Sequence, residues 1–180
     1  YTFTGTINQS LWDSAPNGHI LIEVVAIDSA ENIASDFLIL IKDTVNPIVI
    51  INSPNDYDIF RENPPILEVE ISELYLETAW YSLDNGLTNY SFSGSINQNI
   101  WESLSDGLVT ITITSKDIAG NFGEDSVIVE KDATDPIITI NSPSQGEEFG
   151  SIPPIFEIDI EDDNLISQWY TIDEGDTNFT

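Results

Sequence analysis

The chain has 180 residues, with 32 Asp and Glu against four Lys and Arg, and a formal net charge of -28. Such a surface repels nucleic acid and anionic lipid and attracts cations or basic partners. Cysteine is absent, which excludes disulfides and thiol chemistry, and no apolar run reaches the roughly 18 residues that a membrane helix needs.

In chain order, Tyr1 to Gly5 reads as a short alternating strand, followed by a turn region at Gly5 and Asn8 and then Leu11 and Trp12. His19 to Ile27 is a long strand whose Ile20, Ile22, Val24 and Ala26 share one face. Asp28 to Asn32 turns the chain, Phe37 to Ile41 is the closing strand, and residues 42–46 form a link. Ile48 to Ile51 follows, stopped by Asn52, Ser53 and Pro54. Pro64 and Pro65 precede Ile66 to Ile71, where Leu67, Val69 and Ile71 face inward and Glu68 and Glu70 face water. Ala79 to Leu83 ends in the turn Asp84, Asn85, Gly86, and Tyr90 to Gly94 is followed by Ser95 to Ile100 and Trp101. Leu108 to Ser115 alternates Val109, Ile111 and Ile113 with Thr110, Thr112 and Thr114. After the turn 117–121 come Ser126 to Val129, the link 131–135, and the strands Ile137 to Ile140, Ile155 to Ile160 and Ser167 to Ile172. No segment reads as a helix.

The strongest signal is internal duplication. Residues 1–91 align on 90–180 without a gap at an offset of 89, giving 36 identities, among them Trp12 with Trp101, Trp80 with Trp169, and Asp28, Ala30 and Asn32 with Asp117, Ala119 and Asn121. This pattern predicts an array in which 47–135 is one complete unit, 1–46 the C-terminal half of a unit and 136–180 the N-terminal half of the next. About seven strands per unit suit a two-sheet sandwich. The start in mid-repeat and without Met suggests an excerpt or a processed piece, with any export signal or anchor outside it. Each flanking half carries an apolar face with no sandwich partner, so either the array continues or successive copies complete one another head to tail.

The blocks Thr110 to Asp117 with Ala119, Gly120 and Asn121, the link 131–136, the segment Asn141, Ser142, Pro143, and Trp80 to Asp84 resemble the tandem immunoglobulin-like repeats of large bacterial and archaeal cell-surface proteins. That resemblance implies an all-β fold of immunoglobulin-like β-sandwich repeats of 89 residues, about seven strands each, in an extracellular, cell-surface protein. It also implies Ca²⁺ at the junctions between repeats, held by turn and linker oxygens. Asp117 and Asn121 would lie near Asp43 and Asn46, with Glu73 or Glu77 added from the neighbouring loop. Asp132 and Asp135 would meet Asp162 or Asp163, and Asp28 and Asn32 are the equivalents of Asp117 and Asn121 in the preceding copy. Asp and Asn also occur in turns for backbone reasons alone.

The tryptophans are expected to pack at the core or its rim beside Tyr81, Leu83 and Val109, and His19 has no repeated metal or catalytic context. With one His, no Cys and no nucleophile–base motif, the chain is not expected to be an enzyme. Asn8, Asn89 and Asn178 fit the N-glycosylation acceptor pattern. Leu21, Val25, Ile27, Phe37 and Ile41 replace Thr110, Thr114, Lys116, Ser126 and Glu130, which predicts lateral packing of the first segment. The expected role is a structural segment of an acidic filament, stalk, sheath or surface layer. Its partners are neighbouring repeats or copies of itself, without nucleic acid or direct membrane insertion. The alternatives are an adhesin segment with a glycan or protein ligand, or an accessory module of an exported enzyme.

Overall fold

The structure is a computed structural model that describes all residues except Tyr1, Phe3 and Thr180. The strand expected from Tyr1 to Gly5 and the acceptor triplet ending at Thr180 therefore lie partly outside the described residues. Two compact units divide the chain, Tyr1–Lys131 and Asp132–Thr180.

Unit 1 starts with a short helix, α1 (Gln9–Ser14), and the hairpin β1 (Gly18–Ile27) and β2 (Ile33–Lys42). Then come β3 (Ile48–Ser53), β4 (Ile59–Phe60), β5 (Glu68–Ser72), β6 (Leu76–Ser82), β7 (Tyr90–Ser91), a second short helix α2 (Gln98–Glu102), β8 (Gly107–Asp117) and β9 (Phe122–Lys131). Unit 2 contains β10 (Ile137–Ser142) and β11 (Glu157–Glu161). Both helices fall where turn or strand was expected. Asn8 and Asn97 explain them, because each side-chain oxygen caps the first turn, accepting from Leu11 in α1 and from Asn99 and Ile100 in α2.

The expected tandem immunoglobulin-like β-sandwich of about seven strands is not what forms. The strands sort into four separate sheets: β1–β2, β3–β5, β10–β11, and an open five-stranded sheet in the order β4-β9-β8-β6-β7. Alternation in the sequence reports which residues share a face, but not which strands pair. β4 and β7 hold the edges of the large sheet through two-residue pairings only, and β4 joins β9 in parallel. Each flanking duplicate forms a two-stranded sheet, β1–β2 and β10–β11. Ser167 to Ile172 is likewise no strand; it contributes only a bridge from Tyr170 to Phe179.

The core of unit 1 lies where β3 packs against β8 and β9. β8 alternates as its sequence predicts, and Val109, Ile111 and Ile113 are buried together with Val127 and Val129 of β9, Val49, Leu67 and the expected core members Tyr81 and Leu83. Each such side chain contributes about 1.5–3 kcal/mol by leaving water. Trp101 is fully buried; its ring meets Phe60 edge-on at 6.4 Å, and its Nε1 donates to the Arg61 carbonyl at 3.0 Å. The linker into β3 lies close against β9: a Cβ at Gly123 would stand 1.9 Å from the Pro47 carbonyl oxygen.

Candidate metal centre

Asp117 ends β8, the longest strand, and begins a tight turn. Its carboxylate accepts from the Asn121 backbone N–H at 2.8 Å and from Asn121 Nδ2 at 2.7 Å, while the Asp117 N–H donates to the Asn121 carbonyl at 3.1 Å. Gly120, at φ 95°, supplies the left-handed residue that this turn requires. Burial of Asp117 works to raise its pKa. The hydrogen bonds from the Asn121 side chain and from the Asn121, Gly120 and Ala119 backbone outweigh burial and hold the carboxyl below its ordinary value. The group is thus fully buried yet kept as an anion.

Two further carboxylates converge on it from distant parts of the chain. Asp43 comes from the linker between β2 and β3, and Glu73 from the loop after β5. Oxygen atoms of Asp43, Glu73 and Asp117 all lie within 4.8 Å of one another. Each outer member is braced locally, Asp43 by the Val45 N–H at 3.0 Å and Glu73 by the Tyr75 N–H at 2.8 Å. Asn121 ties the linker to the turn, since its Nδ2 also donates to the Asp43 carbonyl at 3.3 Å. Oxygens coordinated to one Ca²⁺ at about 2.4 Å cannot be more than about 4.8 Å apart, so this spacing suits a shared ion. A groove of about 900 Å³ runs past Asp43 and Glu73, lined also by His19, Asn46 and Tyr75, and leaves room for water ligands.

The chain has no basic group to spare for this cluster. Its four basic residues are Lys42, Arg61, Lys116 and Lys131. Lys42 Nζ donates to the carbonyls of Trp12 at 2.7 Å, Asp13 at 3.2 Å and Ala15 at 2.6 Å, anchoring α1 to β2. Lys116 is paired with Glu77 at 2.6 Å, which removes Glu77 from the ligand set. Lys131 donates to the Leu104 carbonyl beside Asp106, and Arg61 lies 3.6 Å from Glu62.

The remaining sequence candidates are placed differently. Asn46 is exposed and lines the groove without entering the carboxylate group. Asp28 and Asn32 reproduce the Asp117 turn, with Asn32 Nδ2 donating to Asp28 Oδ2 at 2.8 Å, but the turn is exposed. In unit 2, Asn164 joins Asp132 and Asp162: its Nδ2 donates to Asp132 at 2.8 Å and its N–H to Asp162 at 2.9 Å. Asp135 and Asp163 are exposed. Among the described residues, no second group of three carboxylates forms around these positions. Of the glycosylation candidates, Asn8 is engaged as the cap of α1, and Asn89 is exposed. The chain matches no family model, and no curated protein is significantly similar to it.

Proposed function

We propose that the chain is a structural segment of an extracellular filament, stalk, sheath or surface layer, and that a divalent cation of the Ca²⁺ type stiffens its joint at residues 43–47. The observation that carries this reading is the convergence of Asp43, Glu73 and Asp117, while the neighbouring Lys42 and Lys116 are engaged by the Trp12 carbonyl and by Glu77. Hard carboxylate oxygens together with open water positions select Ca²⁺ over softer metals. A site with so few protein ligands loads at the millimolar Ca²⁺ found outside cells, which fits an external location. The surface charge supports the same role, because cation binding relieves self-repulsion as it ties the linker to the body.

Trypsin offers a local test, because Lys42–Asp43 is one of only four basic cleavage points in the chain. Bound Ca²⁺ is expected to slow this cut severalfold relative to chelator, while cleavage at Lys131 changes less. Equal rates at Lys42 with and without Ca²⁺ would remove the proposal.

A further inference from the structure

The strands β6, β8 and β9 turn one set of side chains into the core and the alternate set outward. On the outward side, register sets Trp80 beside Thr114 and Thr114 beside Glu124; in the next row Ser82 stands beside Thr112 and Thr112 beside Ser126. Phe122 meets the Trp80 ring edge-on at 6.2 Å, which fixes the indole at one end of the face. These residues floor a groove of about 570 Å³, walled by the loop after β6 with Asn85, Gly86 and Asn89. Ligand sites span about 300–1,000 Å³, so the groove is of binding size.

The wall is ordered by its own hydrogen bonds. Ser82 Oγ donates to Asp84 Oδ1 at 2.8 Å and accepts from the Gly86 N–H at 2.8 Å, while Asp84 Oδ1 also accepts from the Thr88 N–H at 2.9 Å. The bonds from Thr88 and Ser82 hold the Asp84 carboxyl below its ordinary value, so this clasp stays charged at neutral pH. Asn85 at φ 57° and Gly86 at φ 83° complete the turn in the left-handed region. The exposed Asn85 and Asn89 side chains are therefore presented by a backbone that is already in place.

We propose that this groove binds a neutral oligosaccharide. A sugar ring carries C–H groups on its face, which pack on an indole, and neighbouring hydroxyls on its edge, which a carboxylate or carboxamide holds through paired hydrogen bonds. Trp80 supplies the first surface and Glu124, Asn85 and Asn89 the second, with the hydroxyls of Thr112, Thr114 and Ser126 between them. Charge selects the neutral class. Among the described residues no Lys or Arg lines the groove, and Glu124 together with the net charge of -28 repels acidic sugars. A peptide adding as a strand finds no free backbone on the floor, because β8 is paired on both sides, with β6 and with β9. Nor do the strands themselves demand this polar lining: β1–β2 keeps the register of β8–β9 at an offset of 89, yet carries Leu21, Val25 and Phe37 where Thr110, Thr114 and Ser126 stand. None of the groove residues belongs to the carboxylate group of Asp43, Glu73 and Asp117, so the two sites are independent.

Isothermal titration of the full chain with cellohexaose, maltohexaose, mannohexaose and N-acetylated chitohexaose tests this, with hexagalacturonate and hexaarginine as charged comparisons. Chelator in the buffer keeps the cation site empty, so the outcome is separate from that of the cation reading. At least one neutral sugar is expected to bind and hexagalacturonate is not. Trp80→Ala is expected to weaken binding about tenfold or more, and Glu124→Gln about tenfold. Ser126→Phe fills the groove and is expected to abolish binding with an unchanged urea midpoint, since Phe37 occupies the equivalent place in β2. That variant keeps the test decisive where Trp80→Ala loosens the sheet. Four neutral sugars without binding, hexagalacturonate bound equally well, hexaarginine bound in place of the sugars, or Ser126→Phe binding like wild type overturns the proposal.

Discussion

Removal of one carboxylate from the Asp43–Glu73–Asp117 group is the most direct perturbation of the site. A site with three charged protein ligands beside an open groove belongs to the weak extracellular class, with Kd of about 10⁻⁴–10⁻³ M. At about 10 mM free Ca²⁺ the ion is then about 10- to 100-fold above Kd, and linkage adds about 1.4–2.7 kcal/mol to the folded state. For a body of the size of residues 47–131, each kcal/mol raises Tm by about 4–8 °C, so a rise of about 6–20 °C is expected. The assay is thermal unfolding followed by tryptophan fluorescence, since Trp101 is fully buried. NaCl of equal ionic strength is the control, because screening alone relieves the charge of -28. Glu73→Gln replaces an anionic ligand by a neutral one of the same shape and is expected to reduce the Ca²⁺-specific rise to less than half. If wild type gains no more from Ca²⁺ than from NaCl, or Glu73→Gln keeps the full gain, the site does not bind the ion.

The other predictions concern the scaffold around it. Gly123→Ala drives a Cβ into the Pro47 carbonyl and is expected to cost about 1–3 kcal/mol, measured from the urea midpoint. Lys131→Met removes the donor to the Leu104 carbonyl and the ion pair with Asp106, and is expected to cost about 1–3 kcal/mol by the same measurement. Asp117→Asn lowers Tm at neutral pH without Ca²⁺. The folded pKa of Asp117 lies below its unfolded value near 3.8, so its stabilisation is present above that pH and is lost as pH falls through the folded pKa. The gap in Tm between wild type and Asp117→Asn is therefore constant above about pH 5 and narrows below about pH 4. A gap that does not change with acidification refutes this account.

Several strands were legible from alternation alone. β8 extends two residues beyond the expected Leu108 to Ser115 at its C-terminal end, and β3 and β10 begin at the Ile residues that the sequence marks. The helices were not legible, because a five- or six-residue helix is set by its Asn cap and too short to show a 3.6-residue period. Nor was the sheet count: closure into a sandwich depends on edge strands, and β4 and β7 are two residues each. The acidic site was partly legible. The sequence places Asp117 and Asn121 near Asp43 and Asn46, with Glu73 or Glu77 as the added ligand, and the structure leaves Asn46 at the groove wall outside the carboxylate group. Only packing separates Glu73 from Glu77, because Lys116 pairs with Glu77 while Glu73 joins Asp43 and Asp117.

By itself, the sequence determined which residues alternate, where the turns fall and which positions are duplicated at an offset of 89, all of which depend on local chemistry and spacing. The tertiary structure decided how many sheets the strands make, and that Asp43, Glu73 and Asp117 meet. Those outcomes rest on pairings between residues far apart in the chain. There, edge hydrogen bonds, the burial of one face and the placement of four scarce basic groups choose among arrangements that local pattern leaves equal.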